Sequence, residues 1–132
     1  MTIRDFAPRD QVSESLAACD LTFIGYAAEM DEAEQIPSRL FNILASGRPV
    51  VAMCGPDSEL GRITASENVG YMVVPGDGNG LIETFRKARN DPDRIAKGDR
   101  ARRLVEARFS PQAYTEAWRR LLRQESRRFA SK

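Results

Sequence analysis

Residues 49–81 read PVVAMCGPDSELGRITASENVGYMVVPGDGNGL, and this stretch determines the predicted fold. It contains two short apolar runs, 49–53 and 70–74, which predict buried β-strands. Between them, the Gly-Pro-Asp-Ser turn at 55–58 predicts the capped start of a helix over 59–66. A strand, a helix and a strand in immediate succession predict a parallel pair of strands with the helix packed across one face.

The same alternation continues on both sides of residues 49–81. Upstream, the apolar run at 21–24 predicts one more strand, and Pro37 marks the first turn of a helix that ends at Gly47. Downstream, the Pro-Gly-Asp turn at 75–77 leads into another helix. This order predicts an α/β fold with a Rossmann-like parallel sheet and flanking helices. Because the strands are continuously apolar, we expect helices on both faces of the sheet.

Each helix is expected to bury one apolar stripe. The remaining predicted elements are a strand stub over 2–6 and helices over 8–18, 81–89, 94–108 and 111–129. The side chains expected to face the core from the last three helices are Leu81, Ile82, Phe85, Ala88, Ile95, Leu104, Val105, Tyr114 and Trp118. The whole chain, residues 1–132, is predicted to form a single domain.

The composition excludes several kinds of catalytic and metal site. The chain has no histidine, so it cannot by itself form a Ser-His-Asp triad, a Cys-His dyad or a His-ligated zinc site. Cys19 and Cys54 each adjoin apolar residues, which predicts buried free thiols rather than a disulfide framework. No apolar run approaches the ~20 residues of a membrane span, and the N-terminus lacks the apolar core of a signal peptide. We therefore expect a cytoplasmic protein.

The charges are segregated along the chain. Residues 1–85 hold 5 basic and 13 acidic side chains, whereas residues 86–132 hold 15 and 6. Two solvated helices with basic outer faces explain this pattern, and so would a docking face for an acidic partner, a membrane surface or phosphates. Nucleic acid is disfavoured as a partner, because the basic residues are spread around the helices and no base-reading motif is present.

In open α/β sheets, ligands bind beyond the carboxyl ends of the strands. The segments at those ends are 7–9, 25–38, 54–58 and 75–77. The second carries Glu34 and ends at a helix start, Ser38-Arg39, whose N–H groups attract phosphate, and Arg39 would add a charge-assisted contact. The alternative is an ordinary helix start beside a solvated acid. The acidic run 29–34 likewise suits solvent better than a metal ion, because it contains no calcium-loop pattern.

Five segments, in order, resemble the donor-binding domain of group 1 (family 4) glycosyltransferases of the GT-B fold. Residues 34–52, EQIPSRLFNILASGRPVVA, resemble the family segment in which a Glu, seven residues and a second Glu precede an A-x-G-x-P-V-V strand entry. The other similar segments are PRDQVSESLAACD at 8–20, SEL at 58–60, GYMVVPGDGNGL at 70–81, and DP at 91–92 with ARRLVEARFS at 101–110. The resemblance covers residues 6–122 and implies a partial GT-B C-terminal domain.

The resemblance implies a role for each matching position. Glu34 matches the Glu that contacts the transferred sugar near its reacting carbon, so it is the expected catalytic residue. The expected nucleotide-sugar-binding residues are Ile36, Pro37, Ser38, Arg39, Leu40 and Asn42. In the family, the backbone N–H groups at 38–40 hold the diphosphate. Asn42 stands where a second Glu holds the ribose hydroxyls, the segment 6–9 would lie near the base, and the turn 55–56 would close the rim.

The resemblance further implies a glycosyltransferase, in particular a hexosyltransferase, of polysaccharide biosynthesis. It would use a nucleotide-sugar, with a UDP-sugar favoured, for transfer to a saccharide or lipid-linked acceptor, with retention and with neither a metal nor another cofactor. The acceptor domain and the opening strand–helix unit of the donor domain are expected to be absent or on another chain. This chain alone is therefore not expected to catalyse transfer.

Two partners follow from the same resemblance. One is an N-terminal acceptor domain, on which the terminal helix at about 110–130 would dock. The other is the inner face of a membrane, if the acceptor is lipid-linked. The alternative function is a non-catalytic interaction module of the same fold that acts with a separate acceptor-domain chain. A receiver- or flavodoxin-like domain is disfavoured, because the sequence has neither an acidic cluster after the first strand nor a Gly-rich phosphate loop.

Overall fold

The structure, a computed structural model, describes residues 8–26 and 36–130. The strand stub predicted over 2–6 and the acidic run 29–34, including Glu34, lie outside the described residues. Within them the chain forms an α/β domain, which confirms the fold class that the alternation of apolar runs and turns predicts.

Three strands and six α-helices alternate along the described part of the chain. The strands are β1 (Thr22–Gly25), β2 (Val50–Met53) and β3 (Gly70–Val73). The helices are α1 (Val12–Ala17), α2 (Arg39–Ala45), α3 (Glu59–Ser66), α4 (Gly78–Asn90), α5 (Arg94–Leu104) and α6 (Pro111–Ala130). A 3-10 turn (Arg9–Gln11) precedes α1, and a π-helical turn (Val105–Phe109) joins α5 to α6. The helix predicted over 94–108 is therefore divided in two.

The strands form one parallel sheet in the order β1-β2-β3. Val50 of the central strand pairs with Thr22 of β1 and with Gly70 of β3. Parallel neighbours require a crossover connection, which α2 and α3 supply. The parallel sheet predicted from residues 49–81 is thus confirmed.

One face of the sheet carries the main core. Ile24, Val50 and Ala52 point to this face and pack with buried side chains of three helices. Those helices are α2, α3 and α5, and their buried apolar side chains are Leu40, Ile43, Leu44, Leu60, Ile63, Ala101 and Leu104. Since side chains alternate across a strand, the intervening residues face the other side.

The opposite face is covered mainly by α4. Val51 and Tyr71 pack there against the stripe of α4 that includes Phe85 and Ala88. At the β1 end this cover thins out: the Phe23 ring centroid lies 6.2 Å from that of Phe85, and Phe23 remains 45% exposed. Among the described residues, no strand pairs with the free edge of β1. Helical cover is therefore unequal on the two faces.

Side-chain caps fix where the helices begin. The Ser58 hydroxyl accepts from the Gly61 amide at 3.0 Å and starts α3 where the sequence predicts. The Asp77 carboxylate accepts from the Gly80 amide at 2.8 Å, so α4 begins at Gly78 rather than at the predicted residue 81. A capping side chain thus overrides the poor helix propensity of glycine in the first turn of α4.

Glycines also set the distance between α2 and α5. Gly47 ends α2 with φ +69°, the left-handed conformation that the sequence predicts for this position. A Cβ atom added to Gly98 of α5 would lie 2.2 Å from the Gly47 carbonyl oxygen. The backbones of α2 and α5 therefore approach so closely that only glycine fits at position 98.

A polar network ties α5 to β3. The Tyr71 hydroxyl donates to the Asp91 carboxylate at 2.8 Å, and the Lys97 ammonium donates to Asn68 Oδ1 at 2.7 Å. Lys97 Nζ also lies 5.3 Å from the centre of the Tyr71 ring and 3.4 Å from an Asp93 oxygen. The pKa of Asp91 is held below its usual range, chiefly by the Asp93 amide and then by the Tyr71 hydroxyl, which both donate to it.

Several expected core residues lie on the surface instead. Ile95 is 74% exposed, because α5 turns Lys97, Ala101 and Leu104 inward and Ile95 lies outside that face. Tyr114 and Trp118 are also exposed, since α6 packs mainly on the preceding π-helical turn and extends beyond it. Two further outcomes differ from expectation: Ile82 is 51% exposed, and of the two free thiols only Cys54 is buried, Cys19 being exposed.

Candidate functional site

The carboxyl edge of the sheet is well ordered by backbone pairing. The Tyr26 amide donates to the Met53 carbonyl at 3.1 Å, and the Cys54 amide donates to the Val73 carbonyl at 3.0 Å. Tyr26 and Cys54 are both buried. The loops that leave this edge therefore start from fixed points, and α2 begins beside them.

The start of α2 lies next to the end of β1. The Arg39 guanidinium donates to the Gly25 carbonyl at 3.3 Å, which draws a positive charge to the carboxyl edge of the sheet. Ser38 and Arg39 are both exposed, whereas Leu40 is fully buried. The structure thus brings Arg39 to the edge at which parallel α/β sheets bind ligands.

The amides in this turn differ in availability. The Leu40 amide donates to the Pro37 carbonyl at 2.8 Å, and the Phe41 amide donates to the Ser38 carbonyl at 3.2 Å. The amides of Ser38 and Arg39 have no acceptor within residues 8–26 and 36–130. Of the three amides that the resemblance assigns to a diphosphate, two are therefore unengaged and the third is used by the turn itself.

A groove of about 570 Å³ runs between α2 and the segment that carries α1. Its lining residues are Arg9, Val12, Ser13, Leu16, Asn42, Ala45 and Ser46. The exposed polar side chains of Arg9 and Ser13 face Asn42 across this groove, and none of the three bonds to another described residue through its side chain. The groove offers a cation and a hydroxyl from the α1 segment and an amide from α2.

The loop after β2 is hydrogen-bonded to the residue that caps α3. The Ser58 hydroxyl donates to the Gly55 carbonyl at 2.7 Å while it caps α3. A Cβ atom at Gly61 would lie 2.5 Å from that same carbonyl oxygen, so the first turn of α3 is packed directly against the loop. Residues 55–56, which are expected to close the rim, therefore pack against the start of α3.

The predicted site residues are only partly brought together. Ile36 and Pro37 are half-buried and lead into α2, while Ser38 and Arg39 lie at its exposed start. Asn42 lies one turn further along, in the groove. Glu34, the expected catalytic residue, lies outside the described residues.

Sequence reasoning did not single out Ser13. The sequence signal for Ser13 is its position four residues after Arg9, because residues four apart lie on the same side of a helix.

The part of the chain that the structure describes holds no group of three or more His, Cys, Asp or Glu side chains arranged to bind a metal ion. It also holds no helix that is long and apolar enough to span a membrane.

No protein-family model, no curated protein and no solved structure matches this chain.

Proposed function

We propose that this chain is a donor-binding unit of a glycosyltransferase of the GT-B type and binds a nucleoside diphosphate sugar at the start of α2. The observation that carries the proposal is the juxtaposition of Arg39 with the end of β1 and of Asn42 with Arg9 and Ser13 in one groove. These residues come from different elements, and Arg39 lies at the carboxyl edge, where the resemblance calls for a donor.

The diphosphate is assigned to the turn at 38–39. The amides of these two residues are unengaged within the described residues, and their N–H groups would donate to phosphate oxygens. The Arg39 guanidinium would exchange its hydrogen bond to the Gly25 carbonyl for one to a phosphate oxygen. The phosphate is charged and the carbonyl is neutral, so the new hydrogen bond would be the stronger one. The leaving-group charge of glycosyl transfer would be stabilised by these same groups.

The nucleoside is assigned to the groove between α1 and α2. Asn42 can accept one hydrogen bond and donate another, which suits ribose hydroxyls. Arg9 and Ser13 lie on the opposite wall and would contact the base. Glu34 remains the proposed contact to the transferred sugar, on the strength of the sequence resemblance alone.

An additional unit is part of the proposal. The edge of β1 that no described strand pairs with, and the half-exposed Phe23 beside it, would accept a further strand and its covering helix. Such a unit would be the opening strand–helix unit of the donor domain that the resemblance implies. The same observation favours the second candidate function, a non-catalytic interaction module that joins a separate acceptor-domain chain through this edge.

The decisive experiment is a titration with UDP, GDP and ADP followed by backbone amide chemical shifts. We expect one of them to shift Ser38, Arg39 and Asn42. Asn42→Ala should weaken its binding about 5- to 10-fold, which is the value of one lost hydrogen bond. Asn79→Ala, an exposed change at the start of α4, is the matched control and should leave binding unchanged.

A second comparison tests the sugar contact. Glu34→Ala should weaken binding of the cognate nucleotide-sugar while leaving that of the bare nucleoside diphosphate unchanged. The donor-binding proposal fails if all three nucleotides leave the spectrum of the folded chain unaltered. Copurification with a separate acceptor-domain chain despite that result would support the interaction module.

A further inference from the structure

Residues 77–80, Asp-Gly-Asn-Gly, form the turn into α4 and contain the one Asn-Gly pair of the sequence. In such a pair the amide nitrogen of the glycine can attack the side-chain carbonyl carbon of the asparagine, because glycine has no Cβ atom to restrict the backbone. The other asparagines, Asn42, Asn68 and Asn90, precede isoleucine, valine and aspartate, whose side chains hinder this attack. Asn79 is therefore the asparagine whose sequence neighbour most favours deamidation.

The structure exposes the Asn79 side chain and restrains the backbone amide that would attack it. Asn79 is exposed, and its side-chain amide forms no hydrogen bond with any residue that the structure describes. The Gly80 amide, which is the nucleophile, donates to the Asp77 carboxylate at 2.8 Å as the cap of α4. The Leu81 amide donates to the Asp77 carbonyl at 3.0 Å and closes the same turn. The carbon to be attacked is thus open to solvent, while the nitrogen that attacks it is held by the cap.

We propose that Asn79 is a site of spontaneous deamidation and that the Asp77 cap sets the rate of the reaction. A hydrogen-bonded amide loses its proton to base only after its hydrogen bond has opened. The Gly80 nitrogen must also leave the Asp77 carboxylate before it can turn towards the Asn79 side chain. The reaction therefore requires opening of the first turn of α4, and every contact that keeps this turn closed slows it.

The reaction needs water as its only co-reactant. Base removes the proton of the Gly80 amide, and the nitrogen forms a bond to Asn79 Cγ. The bond from Cγ to the side-chain nitrogen breaks, and that nitrogen takes up a proton and leaves as ammonia. Water then opens the resulting succinimide ring at one of its two carbonyl carbons. One opening gives aspartate at position 79, and the other gives isoaspartate, in which the backbone runs through the side-chain carbons.

The two products differ in their effect on α4. Both add a carboxylate, which lowers the formal net charge of the chain from +1 to zero. The aspartate product places this charge in the first turn of the helix, where the helix dipole favours it. The isoaspartate product lengthens the backbone within that turn, so the Gly80 and Leu81 amides lose their positions opposite the cap. Because Phe85 and Ala88 of the same helix pack on the sheet, the isoaspartate form should be the less stable one.

The full chain should be incubated in mildly alkaline buffer, both folded and in guanidinium chloride. Ion-exchange chromatography measures the acidic form, and mass spectrometry of its peptides locates the modification. We expect modification at Asn79 that is at least about 5-fold slower in the folded chain, because the capped turn is closed in most molecules. Hydrogen exchange should show the same protection factor for the Gly80 amide, since one opening controls both reactions. Isomerisation at Asp77, which also precedes a glycine, leaves the charge unchanged and does not contribute to the acidic form.

Two substitutions of Asp77 separate the cap from the charge. Asp77→Ala removes the acceptor of the Gly80 amide and should speed the modification of Asn79 about 5-fold in the folded chain. Asp77→Ser is the matched control: it removes the same charge but keeps a capping oxygen, so its rate should stay within about 2-fold of that of the parent chain. Asn79→Ala should abolish the acidic form. Far-UV circular dichroism should show the same helix content in every variant.

Three results would overturn the proposal. The first is an acidic form whose modification lies at another residue. The second is an equal rate in the folded and the denatured parent chain, a comparison that needs no variant. The third is a folded Asp77→Ala chain that reacts at the rate of Asp77→Ser. None of these measurements involves a nucleotide, so their outcome is independent of donor binding.

Discussion

The hydroxyl of Tyr71 donates a hydrogen bond to the carboxylate of Asp91, and this 2.8 Å contact joins the outer strand of the sheet to the connection between α4 and α5. Asp91 also accepts from the Asp93 amide at 2.8 Å. The Lys97 ammonium lies over the Tyr71 ring on the same side. These contacts fix the direction in which α5 leaves α4.

Tyr71→Phe should lower the free energy of unfolding by about 1 kcal/mol, because it removes one hydrogen bond to a charged acceptor and preserves the packing of the ring. Urea denaturation measures this loss. Tyr114→Phe removes the hydroxyl of an exposed tyrosine and should change the stability by less than about 0.5 kcal/mol. Equal effects of the two changes would contradict a structural role for the Tyr71–Asp91 bond.

Stability should also fall at alkaline pH because of Tyr71. Burial, followed by the hydrogen bond to Asp91, raises the pKa of this phenol above its usual value of 10.0. The unfolded chain therefore releases the proton first as the pH rises, and the stabilisation present below pH ~10 is lost above it. The decline in unfolding free energy between pH 9 and 11 should be shallower in Tyr71→Phe than in the parent chain.

Lys97→Met should destabilise the fold by roughly 2 kcal/mol. The ammonium is buried and donates to Asn68 and Asp93, so its removal leaves Asn68 Oδ1 without this donor and leaves Asp93 with the Arg100 side chain alone as a cationic donor. Lys87→Met makes the same chemical change on the exposed side of α4 and serves as the control. Comparable urea midpoints for the two variants would show that the Lys97 contacts add nothing to stability.

Acid should weaken the fold through Asp91 and Asp93. A hydrogen bond from the Arg100 side chain lowers the pKa of Asp93, and the pKa of Asp91 is lowered as well. As the pH falls, the two carboxylates therefore bind protons in the unfolded chain before they do so in the folded one. The stability that they contribute is complete above the unfolded pKa of about 4 and is lost as the pH falls through their lower pKa values in the folded state.

This acid effect is measured by urea midpoints at pH 7, 5, 4 and 3. Asp93→Asn should lower the stability at pH 7 and narrow the difference between pH 7 and pH 3. Asp57→Asn, in the exposed turn before α3, should leave that difference as it is in the parent. A difference unaffected by Asp93→Asn would be evidence against the Asp93–Arg100 pair as its source.

Gly98→Ala should destabilise the protein by about 2 kcal/mol, although alanine is the better helix former. The new methyl group would meet the Gly47 carbonyl and push α2 away from α5. The matched change, Gly78→Ala, meets nothing within 4 Å and should be neutral or stabilising by about 0.5 kcal/mol. The midpoint of thermal unfolding should therefore fall in Gly98→Ala but not in Gly78→Ala, and a stabilised Gly98→Ala would contradict this packing.

The strands of the sheet and the helices between them could be predicted from the sequence, because several local signals agree on the same elements. The caps, turns and apolar runs of residues 49–81 all indicate the same strand–helix–strand unit, and α3 has the predicted bounds. Periodicity shows which residues of a helix share a face, but it does not show whether another element covers that face. Trp118 and Ile95 were therefore predicted to be buried, and both are exposed.

The candidate site was predictable only in part for the same reason. The start and the end of α2 follow from Pro37 and Gly47 respectively, which are local signals. The groove that unites Arg9 with Asn42 depends on the angle at which α1 meets α2, and that angle is set by packing between distant residues. The bond from Arg39 to the Gly25 carbonyl likewise joins residues that no periodic pattern connects.

The central position of β2 also sets the time scale of amide hydrogen exchange. Val50, Val51 and Ala52 are fully buried between two neighbouring strands, so their backbone amides should exchange only when the whole domain opens. The amides of α6, which packs mainly on one turn, should exchange through local opening instead. The exchange rates of the slowest amides of this protein should therefore report its global free energy of unfolding. The exchange rates in α6 should depend instead on which surface covers that helix.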